Sequence, residues 1–195
     1  MTIRKKMAGL GLAIGMAFGA SSASAAVVDF TGSGTGAADG ASLSCSTTGF
    51  LNLGGCSVTF NSAGLGVQGG LIDTQGDELD GFGGTESITI SFAQNMVWSN
   101  ITFGLWDSGD DALLQADSGP ALSYGGNNPS LDLPNVVSSS LTITAVDSLN
   151  GFFSNKRDDF TIASIEVAPV PLPAAGFMLL AGLGGLYAMR RRQKA

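Results

Sequence analysis

Three stretches of this chain repeat their apolar positions with a period of two, the first of them strictly. In Glu86-Ser87-Ile88-Thr89-Ile90-Ser91-Phe92, Ile88, Ile90 and Phe92 fall on one side and Thr89 and Ser91 on the other. In the next run Val97, Ser99, Ile101, Phe103 and Leu105 share a side. Further on, Leu141, Ile143 and Ala145 alternate with Thr142, Thr144 and Val146. Successive side chains of a strand point to opposite faces, so a period of two marks strands with one buried face. A fourth run changes parity, with Phe160 and Ile162 followed by Ile165 and Val167. One extra residue near Ala163–Ser164 would restore the inward face, which predicts a β-bulge there. Shorter strands are expected at 27–30, 57–60, 71–73, 112–115, 121–124 and 151–153. No stretch of residues 26–169 shows a helical period.

Residues 26–169 hold 21 of the 29 glycines, which supply turns between the strands. The pattern predicts an all-β domain of about eight to ten strands, an antiparallel β-sandwich of jelly-roll-like type. The segment after Phe30, Thr31 to Gly40, is low in complexity and reads as a flexible loop or linker. Trp98 falls on the opposite side from Ile101 and Phe103. Either both faces of that strand are covered or Trp98 is partly exposed; packing in the core is the favoured reading for so large an apolar group.

Charge divides the chain into three. Its formal net charge is −7, from nine basic and sixteen acidic residues. Arg4, Lys5 and Lys6 stand at the start, and Arg190, Arg191, Arg192 and Lys194 at the end. The stretch between holds all sixteen acids and only Lys156 and Arg157, a net of −14. Those two bases adjoin Asp158 and Asp159 and are expected to offset them locally. A strongly acidic domain excludes nucleic-acid binding, which needs a basic face to neutralise phosphates.

The ends read as membrane-directed segments. Arg4-Lys5-Lys6, an apolar run from Met7 to Ala20 and the small-residue stretch Ser21 to Ala26 form a secretory signal peptide over residues 1–25. Ala23-Ser24-Ala25 fits the small-x-small cleavage pattern, with the cut after Ala25 and Ala26 as the alternative. This helical segment implies the Sec translocon and signal peptidase as partners. At the other end, Val170-Pro171-Leu172-Pro173-Ala174 leads into uncharged apolar residues up to Met189. A transmembrane helix is expected at about 174–189, with the basic tail 190–195 held on the cytoplasmic side. The two prolines keep the backbone before it from joining the helix.

Three features occur in order here: Val170-Pro171-Leu172-Pro173-Ala174, the Gly-rich apolar run containing Gly182-Leu183-Gly184-Gly185-Leu186, and Arg190-Arg191-Arg192. In this, residues 170–195 resemble the VPLPA variant of the PEP-CTERM sorting domain. The resemblance implies a Gram-negative exporter and recognition by an exosortase-like membrane protease or transpeptidase. It implies an inner-membrane intermediate facing the periplasm, then delivery to the cell surface, exopolysaccharide or biofilm matrix. The motif residues would be read by the processing enzyme and are not catalytic.

The chemistry open to the acidic domain is narrow. There is no histidine, so His-dependent triads and His-ligated zinc are excluded. No phosphate-binding loop or dinucleotide fingerprint is present. Cys45 and Cys56 are the only cysteines, and an oxidising exported setting makes them a disulfide. The acids group as Asp73, Asp77, Glu78 and Asp80, and as Asp107, Asp110 and Asp111. Asp73, Asp77, Asp80, Asp107, Asp110 and Asp111 are candidate ligands for Ca²⁺, the one candidate cofactor, because hard cations take several oxygens from flexible loops. The competing reading is solvated acid that keeps an exported protein soluble. Trp98, Trp106, Tyr124, Phe152 and Phe153 are candidates for a sugar-stacking platform. The function expected is a non-enzymatic exported surface or matrix protein. A carbohydrate- or calcium-binding module is the second expectation, and a polysaccharide hydrolase working with two carboxylates the third.

Overall fold

The computed structural model describes residues 24–32, 40–48, 55–69, 76–81, 85–145, 158–170, 182–185, 187 and 190. They form an all-β domain of ten strands among the described residues: β1 Ala26–Asp29, β2 Ala41–Thr48, β3 Cys56–Phe60, β4 Leu65–Gly69, β5 Leu79–Asp80, β6 Thr85–Gly104, β7 Asp111–Ala116, β8 Ala121–Gly125, β9 Ser130–Ala145 and β10 Asp159–Pro169. Every pairing is antiparallel. The main path runs β3-β4-β10-β6-β9-β7-β8, with β1 and β5 added to β10 and β2 added to β6. The expected strands at 71–73 and 151–153 lie outside the described residues, as does 33–39 of the expected linker.

The sheet folds over on itself, and β6 makes the fold. Ser87 lies opposite Thr144 of β9, one residue from Ala145, which pairs with Ala112 of β7. Ala112 in turn lies opposite Tyr124 of β8, so Tyr124 sits level with the start of β6. A straight strand would carry Phe103 about 50 Å away from Ser87, at about 3.3 Å per residue. Yet the rings of Phe103 and Tyr124 are 5.9 Å apart. The bend is at Phe92–Met96, where the β9 pairing jumps from Ser91 to Met96. Residues 93–95 are exposed at this bend, and both halves of β6 bury their apolar side chains in one common core.

Local devices set which side chains face that core. The bulge expected in β10 is present, as a register shift between Ile162 and Ser164. It keeps Phe160, Ile162, Ile165 and Val167 all buried. A second bulge, not expected, corrects the reading of the run from 97 to 105. Trp98 pairs with Val167 and Asn100 with Glu166, leaving Ser99 as the extra residue. Parity therefore flips at Ser99, and Met96, Trp98, Ile101 and Phe103 form the buried set. Val97 and Ser99 are half-buried, and Leu105 falls beyond the strand and is exposed. Trp98 is fully buried, its indole N–H donates to the Ser138 carbonyl at 3.1 Å, and its ring meets Phe92 edge-on.

β2, β4 and β5 are strands that the pattern does not single out. Along β2 the inward positions are Ala41, Leu43, Cys45 and Thr47, all half-buried, with Leu43 the one large apolar group among them. β4 carries glycines because other backbone passes close by: a Cβ on Gly66 would overlap the carbonyl of Asp77. The expected disulfide is present: Cys45 of β2 joins Cys56 of β3, with Cα atoms 6.0 Å apart. It ties two strands that share no ladder, and closing so short a loop contributes about 2–3 kcal/mol in the chain-entropy picture.

Beyond Val170, residues 182–185, 187 and 190 are helical. No helix among the described residues is long and apolar enough to cross a membrane.

Candidate functional site

Where β6 ends, the chain turns sharply at Leu105, which has a left-handed φ of 57° and is 53 % exposed. That conformation costs a non-glycine residue about 1–3 kcal/mol. It sends Trp106 back over Phe103, with ring centroids 4.6 Å apart and planes 27° apart. Tyr124 of β8 completes a triangle, 5.4 Å from Trp106 and 5.9 Å from Phe103. Phe160 meets both Phe103 and Trp106 edge-on, at 5.4 and 5.2 Å.

Polar atoms lock the two outer rings in place. The Trp106 indole N–H donates to the Gly126 carbonyl at 2.7 Å. The Tyr124 hydroxyl lies 2.7 Å from the Asn128 carbonyl and 3.0 Å from the Ser130 carbonyl. Both rings are half-buried, and Asp107, Ser108, Asp111, Gly125, Gly126, Asn127 and Asn128 near them in the chain are exposed.

Beside the rings lies a reciprocal pair of carboxylates. Asp110 and Asp158 are buried. Asp158 accepts the Asp111 N–H at 3.0 Å, and Asp110 accepts the Asp159 N–H at 3.2 Å. The second oxygen of Asp110 accepts the Asp107 N–H. This double clasp joins the start of β7 to the start of β10. Burial, reinforced by Asp111, Asp110 and Asp159, pushes the Asp158 carboxyl up to about 7, against the pull of the Asp111 N–H. Burial likewise raises Asp110 to about 6, with Asp107 and Asp159 adding to the rise and two backbone N–H groups opposing it. Glu78 is also raised, first by burial and then by Asp159, Asp77, Asp80 and Asp110. A carboxylate at the opposite end of the range is Asp117. The Ser140 hydroxyl above all, helped by the N–H groups of Ser139 and Ser140, holds it below its usual value and pins the turn after β7 to β9.

No protein-family model and no curated protein matches this sequence.

The structure distributes the residues singled out from the sequence as follows. Asp110 is in the clasp, Asp111 contributes its N–H, and Asp107 lies at the exposed turn between them and Trp106. Asp80 is buried on β5, where it pairs with Asp159, and its N–H donates to Glu86 at 3.1 Å. Asp77 offers its carbonyl to Asn61. Asp73 lies outside the described residues, as do Lys156 and Arg157. Among the described residues no three His, Cys, Asp or Glu side chains gather in a group able to hold a metal ion. The oxygens of Asp110 and Asp158 are turned to backbone N–H groups instead. Of the aromatic candidates, Trp106 and Tyr124 come together, Trp98 is in the core, and Phe152 and Phe153 lie outside the described residues.

At the ends, Ala25 is exposed and Ala26 opens β1, paired with Val167 of β10. Val170 follows the last residue of β10 and is exposed. Arg190 is helical and exposed. Ala23, Pro171, Leu172, Pro173, Ala174, Arg191 and Arg192 lie outside the described residues.

Proposed function

We propose that this chain is a non-enzymatic protein of the cell surface or exopolysaccharide matrix. It is exported through the Sec translocon, freed of residues 1–25 by signal peptidase, held by a C-terminal helix, and released by an exosortase-like enzyme. The domain delivered is an antiparallel β-sandwich of jelly-roll-like form, built by folding the long strands β6 and β9 across one core.

One observation supports this reading above the rest: the limits of the folded unit match the limits of the sorting segments. β1 begins at Ala26, directly after the expected signal-peptidase cut, and β10 ends at Pro169, directly before Val170-Pro171-Leu172-Pro173-Ala174. Ala26 and Val167 are partners across one ladder, so the start of β1 and the end of β10 lie side by side at one end of the sheet. Removal of either flanking segment costs the domain none of the ten described strands. A Pro-x-Pro sequence favours extended backbone, the form a protease cleft accepts, and residues 171–173 carry one.

Replacing both Pro171 and Pro173 with Ala tests the reading. In a host with the processing enzyme, the double variant should accumulate as a full-length, membrane-retained chain, while the parent chain is trimmed. Release of the variant at the parental rate would remove the role given to this motif.

A further inference from the structure

The aromatic corner carries an inference that does not depend on the export reading. Two rings lying on opposite faces of the Trp106 indole would be about 10 Å apart. Phe103 and Tyr124 are 5.9 Å apart, so both lie towards one side of it. Phe160 is 5.4 Å from Phe103 and 5.2 Å from Trp106, so it too lies towards that side. None of these three rings covers the remaining side of the indole, and Trp106 is only half-buried.

The indole is also fixed before any ligand arrives. Its N–H is spent on the Gly126 carbonyl, its inner side rests on Phe103, and the left-handed turn at Leu105 sets its direction. The chain near it carries acceptors and amides: exposed Asp107 next to it, exposed Asp111 paired with Gly125, and Asn127 and Asn128 on the loop whose Gly126 holds the indole N–H. A rigid flat apolar face ringed by a few hydrogen-bonding side chains suits a pyranose, which has an apolar C–H face and an equatorial fringe of hydroxyls. The charge of the domain narrows the class: with sixteen acids against two bases it repels sugar acids and tolerates neutral or amino sugars.

We propose that Trp106, with Tyr124, Asp107, Asp111 and Asn127 near it, is a stacking platform for a glycan of neutral or amino sugars. The geometry needs no metal ion and no covalent step. A polysaccharide matrix presents its repeats at millimolar concentration or above, so millimolar affinity at this one site suffices to hold the protein there.

Titration calorimetry with cellohexaose, with the hexamer of β-1,4-linked glucosamine and with hexagalacturonate is the test, run beside tryptophan emission. Trp98 is sealed in the core, so only Trp106 can report a ligand at the surface. The expected result is saturable, emission-changing binding of the neutral or the amino hexamer at millimolar affinity or better, and weaker binding of hexagalacturonate. Trp106→Ala should weaken binding at least tenfold. Should that variant fail to fold, Asp111→Ala, a change at the exposed rim, should weaken it about threefold or more. Absence of binding by both favoured hexamers, tighter binding of the sugar acid, or unchanged affinity in a folded Trp106→Ala or Asp111→Ala protein overturns the proposal.

Discussion

Trp98→Ala should cost the domain about 4 kcal/mol, a large fraction of the roughly 5–15 kcal/mol that such a domain has to lose. The ring is fully buried just past the bend that folds β6 over, it packs edge-on against Phe92, and its N–H satisfies the Ser138 carbonyl. Truncation leaves a cavity and an unsatisfied carbonyl together. Trp98→Phe keeps most of the volume and loses only the hydrogen bond, so about 1–2 kcal/mol is expected. Urea unfolding of the two variants measures both. A loss below about 1 kcal/mol for the alanine variant would mean that Trp98 does not hold the two halves of β6 together.

Asp158→Asn should stabilise the domain at neutral pH and leave it unchanged in acid. The carboxyl titrates near 7 in the folded protein and near 3.8 when exposed. Between those values the folded state keeps a proton that the unfolded state has lost, so stability falls as pH rises from about 4 to about 7. Above that window the full penalty of the buried charge is present; below it there is none. Asparagine keeps the oxygen that accepts the Asp111 N–H and carries no charge. After allowance for solvent screening near the surface, the gain at pH 8 is about 2 kcal/mol, or about 5 °C in Tm. Asp110→Asn should behave differently, because both Asp110 oxygens accept backbone N–H groups and an amide would face one of them with its own N–H. Thermal melts of the three proteins at pH 4.5 and pH 8 separate these outcomes. The parent melting higher at pH 8 than at pH 4.5, with Asp158→Asn giving no gain, would show that the clasp does not carry a buried charge.

Much of the architecture was legible because strands with one buried face print a period of two. The runs at Ile88–Phe92, Leu141–Ala145 and Phe160–Val167 announced their strands, and the parity change in the last announced its bulge. The bulge at Ser99 left no such mark. Val97 and Ile101 stand on either side of it with the same parity, so the pattern reads straight through the flip and puts Trp98 on the wrong face. β2 also prints the period: Ala41, Leu43 and Cys45 alternate with Ser42, Ser44 and Ser46, but only Leu43 among the inward residues is large and all are half-buried, so the signal is faint beside that of the core strands.

The clasp was half legible. Asp110 stands out in the sequence as an acid in a loop, whereas Asp158 sits beside Lys156 and Arg157 and reads there as locally offset. Extending each apolar run one step outward shows the missing signal. Asp110 precedes Ala112 and Leu114, Asp158 precedes Phe160 and Ile162, and Glu86 precedes Ile88 and Ile90, each acid on the inward parity. All three are buried. An acid on the inward parity at the head of a buried strand is a structural group, whereas one a residue away, such as Asp111, is left exposed at the rim.

Intact-mass measurement on the protein recovered from the cells that make it tests most directly the proposal of a precursor whose two ends are removed from an intact β domain. The mass predicted is that of a chain beginning at Ala26, ending near Pro171 to Ala174, and lacking two hydrogens for the Cys45–Cys56 bridge. A mature chain that still carries residues 174–195 would contradict it.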